Sequence, residues 1–326
     1  MPSEWNRRDF LAASVAGVGL AATVGRAAEP PAFKTKLHKA VIHGYPTEAS
    51  LKPLKDAGFE GIECGDWNKP PEEAAKAREV AEKLGMRIHS VMRAWVNFNN
   101  PASVEGDIKS VETALKAAQG YGADAILLVP CRMGGAAPQP WEFDIKFDEK
   151  TGHITQVVSG DNEKYKAYIE THNKSSDDSI AALKKLIPVA EQTKVVIALE
   201  NVWNNMWTKP KFFAHFVRLF DSPWVGAYFD IGNHVKYAPP EEWLRELGPL
   251  TVKLHAKDFK LNPDGKGGNW ANIGEGSVNW PAVRAEVEKI GKDLWLTNES
   301  GGFSLAEFSR RFDLINQGKD PGGREK

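Results

Sequence analysis

The sequence predicts an α/β fold: a single (β/α)8 TIM barrel with a β-hairpin inserted after its fourth strand. Three observations carry this. Short apolar runs alternate with longer amphipathic segments eight times along the chain. About 300 residues follow the N-terminal stretch, enough for one large barrel. Four consecutive apolar runs in the second half each deliver a Glu, Asp or His near their C-terminal end, and in a barrel all those ends open on one face.

The elements follow in order. Residues 38–44 read as the first strand, with a helix near 47–57. Residues 59–65 (FEGIECG) form the second strand, followed by a helix over 71–84. The third strand spans 86–92 with a helix over 103–120, and the fourth spans 123–130 (ADAILLVP). Within 141–158, Phe143, Ile145 and Phe147 alternate with polar residues before the turn Glu149-Lys150-Thr151-Gly152. That pattern predicts a hairpin over the mouth, serving as a lid or as a contact in a homo-oligomer. A helix over about 162–193 leads to the fifth strand, KVVIALENVWNN, whose apolar run ends on Glu200. Helices at 210–220, 240–247, 280–290 and 305–317 alternate with three more strands. These end on Asp230, carry His255, and end on Glu299. A doubly wound open sheet would want a glycine-rich turn after the first strand, and His43-Gly44-Tyr45-Pro46 is not one.

The first residues read as an address, not as fold. Asn6-Arg7-Arg8-Asp9-Phe10-Leu11 precedes a weakly apolar, Ala/Gly-rich run, with small residues around Ala27 and Ala28. This predicts a twin-arginine export signal over 1–28, a periplasmic or exported location, and a catalytic domain over 29–326 with a charged tail after about 318. The apolar run is too short and glycine-rich to favour a membrane anchor, so no stable membrane association is expected once the signal is removed. The net charge is −1 and becomes −2 without the signal, which carries three basic and two acidic groups. That balance leaves no electrostatic footprint for nucleic acid. Cys64 and Cys131 form neither a disulfide framework nor a thiolate metal motif.

A carboxylate at the end of a buried strand is costly unless paired or bound to a metal. Glu200, Asp230, His255 and Glu299 are the ligand set of a hard or borderline divalent cation. Mn²⁺ is the expected ion, with Zn²⁺ or Mg²⁺ as alternatives. The competing reading is a set of barrel-end carboxylates paired with Lys or Arg. Trp67, Trp95, Trp141, Trp203, Trp207 and Trp270 all follow strands, which predicts an indole-rich rim around a carbohydrate-sized pocket.

The motifs ALEN, YFDIGNH, KLHAKDF, IGEGSVNW and LTNES resemble the sugar phosphate isomerase/epimerase superfamily, which has a xylose-isomerase-like barrel and includes D-tagatose 3-epimerase and hydroxypyruvate isomerase. The resemblance covers nearly all of the mature chain. It implies that the four strand-end residues bind one divalent metal, often manganese, and that Glu200 and Glu299 double as the proton-transfer pair. It places a substrate-contacting histidine three residues after the sixth-strand Asp, where this chain has Asn233, with His234 one place later. Lys257 fits the HxKD pattern and is expected to reach a substrate oxygen. His89 and Glu63 are expected either to point into the mouth or to sit as satisfied structural residues.

Three functions stay open at this point: a ketose isomerase or epimerase, a lyase cleaving oxidised (3-keto) glycosides by β-elimination, and a non-catalytic periplasmic sugar-binding protein. Replacing Arg7 and Arg8 with lysine is expected to trap the precursor in the cytoplasm, as read by fractionation and immunoblotting. An unchanged exported fraction would show that residues 1–28 have been misread.

Overall fold

The computed structural model describes residues 33–134 and 136–323, so the expected export signal lies outside the described residues. The first half of the barrel comprises β1 (Leu37–His43), α1 (Glu48–Asp56), β2 (Gly61–Cys64), α2 (Pro71–Lys83), β3 (Arg87–Trp95), α3 (Val104–Tyr121) and β4 (Ala125–Val129). An antiparallel hairpin follows, β5 (Phe143–Phe147) and β6 (Ile154–Val158). The second half comprises α4 (Lys166–Thr193), β7 (Val196–Glu200), α5 (Pro210–Arg218), β8 (Val225–Asp230), α6 (Pro240–Leu247) and β9 (Thr251–Ala256). A second hairpin, β10 (Asp258–Leu261) and β11 (Gly268–Ala271), precedes α7 (Trp280–Ile290), β12 (Leu294–Asn298) and α8 (Leu305–Asn316).

Strands β1, β2, β3, β4, β7, β8, β9 and β12 close into one parallel barrel, with β12 returning to pair with β1. The central strands are buried on both faces: every residue of β4 and β8 is inaccessible, as expected where helices cover the outside of a parallel sheet. Local chemistry sets the helix starts. Pro71, Pro210 and Pro240 occupy the first helical position of α2, α5 and α6, where a missing N–H costs nothing. Thr47 and Ser50 cap α1 reciprocally, and Ser304 accepts from the Glu307 N–H at the start of α8. Among the described residues no helix is long and apolar enough to cross a membrane.

The β5–β6 hairpin forms, but it does not roof the mouth. Phe147 packs on Phe212 and His215 of α5, at ring distances of 5.1 and 4.7 Å. Asn173 of α4 exchanges two hydrogen bonds with the Ile154 backbone, at 2.8 and 3.0 Å. At the turn, Gly152 lies against Leu219, just past the C-terminal end of α5. The apolar residues of β5 and β6 therefore pack on α4, α5 and the loop after β8, where Phe143 meets Tyr237 at 5.8 Å.

The indole rim also needs correcting. Trp207 is fully buried, stacked on Phe213 at 4.6 Å and packed against Phe216 at 5.2 Å, so it belongs to the core. Trp141 and Trp203, by contrast, are 44% and 42% exposed, and Trp270 on β11 is 49% exposed. The two cysteines are buried free thiols, and burial pushes Cys64 up to about 11 and Cys131 to about 12. Trp207→Ala is expected to cost about 3–5 kcal/mol, and Trp141→Ala less than about 1 kcal/mol. Urea denaturation of the two variants checks this, and equal costs would return Trp207 to the rim.

Candidate metal centre

The strands place each candidate ligand. Glu200 ends β7, Asp230 ends β8, His255 is next to last in β9, and Glu299 follows β12 directly. Asp230 and His255 are register partners on adjacent strands. One possible ligand atom from each of Glu200, Asp230, His255 and Glu299 lies within 4.8 Å of the others. Residues separated by 30, 25 and 44 positions thus meet because their strands end on one rim.

Asp230 is held by backbone and amide groups. Its Oδ1 accepts the N–H groups of Gly232 at 2.8 Å and Asn233 at 2.7 Å. Asn201 braces its main chain, accepting from the Asp230 N–H at 2.7 Å and donating to its carbonyl at 2.8 Å. This leaves Asp230 Oδ2 turned to the centre, 3.3 Å from Lys257 Nζ. Gly232 permits the close approach, since a Cβ there would sit 2.5 Å from Lys257 Cβ.

His255 is oriented by Glu63. Its Nε2 lies 2.6 Å from Glu63 Oε2, and both groups are fully buried. The other ring nitrogen, Nδ1, lies 2.6 Å from Glu299 Oε2 and 3.3 Å from Glu200 Oε1. A carboxylate behind an imidazole fixes the tautomer and raises the basicity of the nitrogen left for a ligand. Glu63 therefore takes the structural one of its two expected places and does not point into the mouth. It stands behind His255, and an acidic residue inside the apolar run of β2 was the available signal for that role.

The electrostatics reflect crowded buried acids. Burial raises the Glu200 carboxyl and pushes Asp230 up to about 7, against the pull of Lys257. Burial also acts to raise Glu299, but His255 and Lys257 outweigh it and hold that carboxyl at about 2. Burial opposes charge on His255, yet Glu63, Tyr228, Glu200 and Glu299 together lift its pKa well above the ordinary imidazole range. Lys257 Nζ bridges Asp230 Oδ2 and Glu299 Oε1, at 3.3 and 2.8 Å.

These residues fit a divalent cation. Asp230 Oδ2, His255 Nδ1 and Glu299 Oε2 are buried and make no well-directed hydrogen bond, only the ion-pair contacts with Lys257 and with each other given above, and such atoms call for an explanation in a folded protein. Three carboxylates and one imidazole, with no thiolate, are the donor set of a hard or borderline ion.

The other expected residues divide. Lys257 and Trp203 stand at the mouth. Trp67 and Trp95 are half-buried on the opposite arc, each under a guanidinium: Arg93 at 4.4 Å and Arg132 at 4.0 Å. His89 takes the structural one of its two expected places, buried low in the barrel. It stacks on Trp295 at 4.6 Å and bonds Thr297 Oγ1 at 3.0 Å. Burial holds its pKa well below the usual imidazole value. His234 is buried too, with Nε2 3.0 Å from the Val202 carbonyl and its ring packed on Trp243 and Tyr237; burial lowers it to about 3. The Asn233 amide donates to the Asn201 carbonyl at 3.0 Å, and its own carbonyl accepts from Trp203 Nε1. Asn233 and His234 therefore brace the loop after β8.

A cleft of about 720 Å³ opens beside the cluster, bordered by Lys257, Glu299, Ser300, Trp270, Asn272 and Glu275. Trp270, Asn272 and Glu275 come from the β10–β11 hairpin and the loop after it, for which the sequence reading had assigned no element.

Fold and site together define the class: an eight-stranded α/β barrel with an acidic and imidazole cluster at its C-terminal mouth. The chain belongs to the xylose isomerase-like TIM barrel family, whose model matches residues 51–307. Comparison with curated proteins finds no match. Among solved structures, a D-tagatose 3-epimerase-like protein superposes with a TM-score of 0.62 at 18% identity, over 86% of this chain and 97% of that one. IOLI protein with a bound zinc atom gives 0.61 at 15% identity, over 86% and 95%. The 3-keto-D-glucoside 4-epimerase of E. coli, in its apo form, gives 0.60 at 13% identity, over 86% and 99%. Likeness at these identities is a likeness of fold.

Elemental analysis is expected to find one divalent ion in the purified protein and little in His255→Ala. Glu63→Gln is expected to weaken metal affinity about 10–100-fold while keeping the ligand set intact, as measured by competition with a chelator. Equal metal content in wild type and His255→Ala would remove the assignment.

Proposed function

We propose that the protein is a divalent-metal-dependent isomerase or epimerase of an unphosphorylated keto-sugar, acting after export from the cytoplasm. The observation that carries this reading is the convergence of Glu200, Asp230, His255 and Glu299 within 4.8 Å at the mouth of the barrel. Manganese is the proposed ion, since three oxygen donors and one imidazole suit it.

A C–H beside a ketone is a weak acid. A divalent ion held by the four ligands would polarise the carbonyl and stabilise the enediolate formed on deprotonation. The remaining steps fall to the chain's own groups. Glu200 and Glu299 come from β7 and from the end of β12, with β8 and β9 between them. A substrate carbon seated between them meets one carboxyl group on each face. One carboxylate takes the proton, and the C–H electron pair becomes the C=C bond as the carbonyl oxygen takes up negative charge. The opposite carboxyl group returns a proton and restores the carbonyl, so no co-reactant is consumed. Lys257, bridging Asp230 and Glu299, is placed to donate to a substrate oxygen.

The walls of the cleft support an uncharged substrate. Two lysines, Lys257 and Lys260, and three acids, Asp258, Glu275 and Glu299, line it, a balance that does not favour an anionic substrate. A phosphate site would want an arginine cluster or a glycine-rich helix N-terminus. A lyase that expels a leaving group after the same deprotonation is the second reading, favoured by the size of the cleft. A non-catalytic sugar-binding protein would have no use for two opposed glutamates at a cation.

A keto-sugar substrate in deuterated water is expected to take up deuterium beside its carbonyl. Glu200→Gln and Glu299→Gln should each slow that exchange by about 10²–10⁴-fold without unfolding the barrel, as followed by NMR and mass spectrometry. Exchange persisting in both variants would defeat the proposal. So would a clear preference for the phosphate ester of the same keto-sugar.

A further inference from the structure

The proposed reaction involves only the ring that carries the ketone, yet the cleft continues past the metal ligands. Lys257 and Glu299 form its inner end, and Trp270, Asn272, Glu275 and Ser300 extend its walls. Its volume of about 720 Å³ lies in the upper part of the range for small-ligand sites, roughly 300–1,000 Å³.

Trp270 is built as a rigid platform. One face stacks on Trp203, with ring centres 4.8 Å apart and planes 16° from parallel. Phe259 packs edge-on to both indoles, at 5.7 and 5.4 Å. Behind them Lys236 Nζ sits 3.4 Å from the Trp203 ring centre, and Trp203 Nε1 donates to the Asn233 carbonyl. The Trp203–Trp270 stack is therefore braced by Phe259, Lys236 and the Asn233 carbonyl while Trp270 stays 49% exposed on the cleft. Soluble proteins rarely leave large apolar faces open together without a binding role. Lys257 Nζ lies 5.5 Å from the Trp270 ring centre and 2.8 Å from Glu299 Oε1, so the indole borders the cluster on the cleft side.

We infer that the open face of Trp270 is a second subsite, taking the ring glycosidically joined to the reacting keto-sugar, so that the substrate class is a neutral keto-glycoside and not a free ketose. The inference rests on the function proposed above and narrows it. A flat indole covers the C–H face of a pyranose and excludes water there. Asn272, Glu275, Ser300 and Lys260 supply donors and acceptors of both kinds for its hydroxyls.

The test compares two probes by isothermal titration: the 3-ketone of methyl β-glucoside and the 3-ketone of cellobiose. Wild-type protein, Trp270→Ala and Trp270→Phe are titrated in turn. The wild type should bind the cellobiose ketone at least tenfold more tightly. Trp270→Ala should lose about tenfold on that probe and less than about threefold on the methyl glycoside, and Trp270→Phe should recover most of the loss. Equal wild-type affinities, or equal losses on both probes, would overturn the second subsite. Deuterium uptake by the same probes in the wild type separates the two claims. Preference for the disaccharide without any exchange would sink the isomerase reading and leave the subsite standing. Exchange without that preference would do the reverse.

Discussion

The structure turns on a concentration of negative charge that the barrel cannot avoid. Three carboxylates arrive at one rim on neighbouring strand ends, with ligand atoms within 4.8 Å of one another. At that spacing each like-charged pair costs roughly 3–4 kcal/mol at an effective dielectric of about 20, and burial adds to the cost. The surrounding groups answer this charge. Lys257 bridges two of the acids, His255 contacts the third and shares Glu299, and two backbone N–H groups occupy Asp230 Oδ1. What they leave over is three crowded donor atoms, Asp230 Oδ2, His255 Nδ1 and Glu299 Oε2, held by ion-pair contacts alone. A divalent cation is the simplest charge that satisfies all three.

The barrel and its loops divide the work. Strand ends carry the cluster, because strand pairing fixes them in register. The cleft wall comes from the segment after β9, and it needs its own anchor. Asp258 supplies that anchor. Its Oδ1 accepts the N–H groups of Phe259 and Val278, at 2.9 and 3.1 Å. Its Oδ2 accepts from the Gly274 N–H at 2.9 Å and from Trp280 Nε1 at 3.1 Å. A Cβ on Gly276 would lie 2.0 Å from Asp258 Oδ1, so only glycine lets the loop wrap this carboxylate. One buried acid thus ties β10, the loop that carries Glu275 and the start of α7 into a single wall.

The alternation of strands and helices was legible because every barrel strand is a short apolar run and three helices open on proline. The cluster of Glu200, Asp230, His255 and Glu299 was legible for the same reason: a charge at the end of a buried strand stands out against its neighbours. Positions that depend on side-chain direction were not legible. Trp203 and Trp207 lie four residues apart in one loop, and one is open to solvent while the other is core. His89 and His234 are polar letters in the right segments, but stacking on Trp295 and packing on Trp243 decide their fate. The β5–β6 hairpin showed its alternation without showing which surface would cover it. The β10–β11 hairpin was missed although Asn262-Pro263-Asp264-Gly265 is a strong turn signal. Its flanking strands have only four residues each, too few for a periodic pattern to register.

A cation can hold a carbonyl and a neighbouring hydroxyl, but it does not choose which face of the sugar meets which glutamate. That choice needs a second fixed point. The Trp203–Trp270 stack is braced by Phe259, by Lys236 and by the Asn233 carbonyl. Its position is set by the same loop after β8 that orients Asp230 through Gly232 and Asn233. Asn233 therefore connects the two ends of the site. Its N–H fixes a ligand carboxylate, and its carbonyl fixes the indole that backs the platform. In the proposed reaction, proton transfer on one face or the other would be decided by how the ring is seated between Glu200 and Glu299, and an aromatic wall rigidly referenced to the cluster would limit that seating.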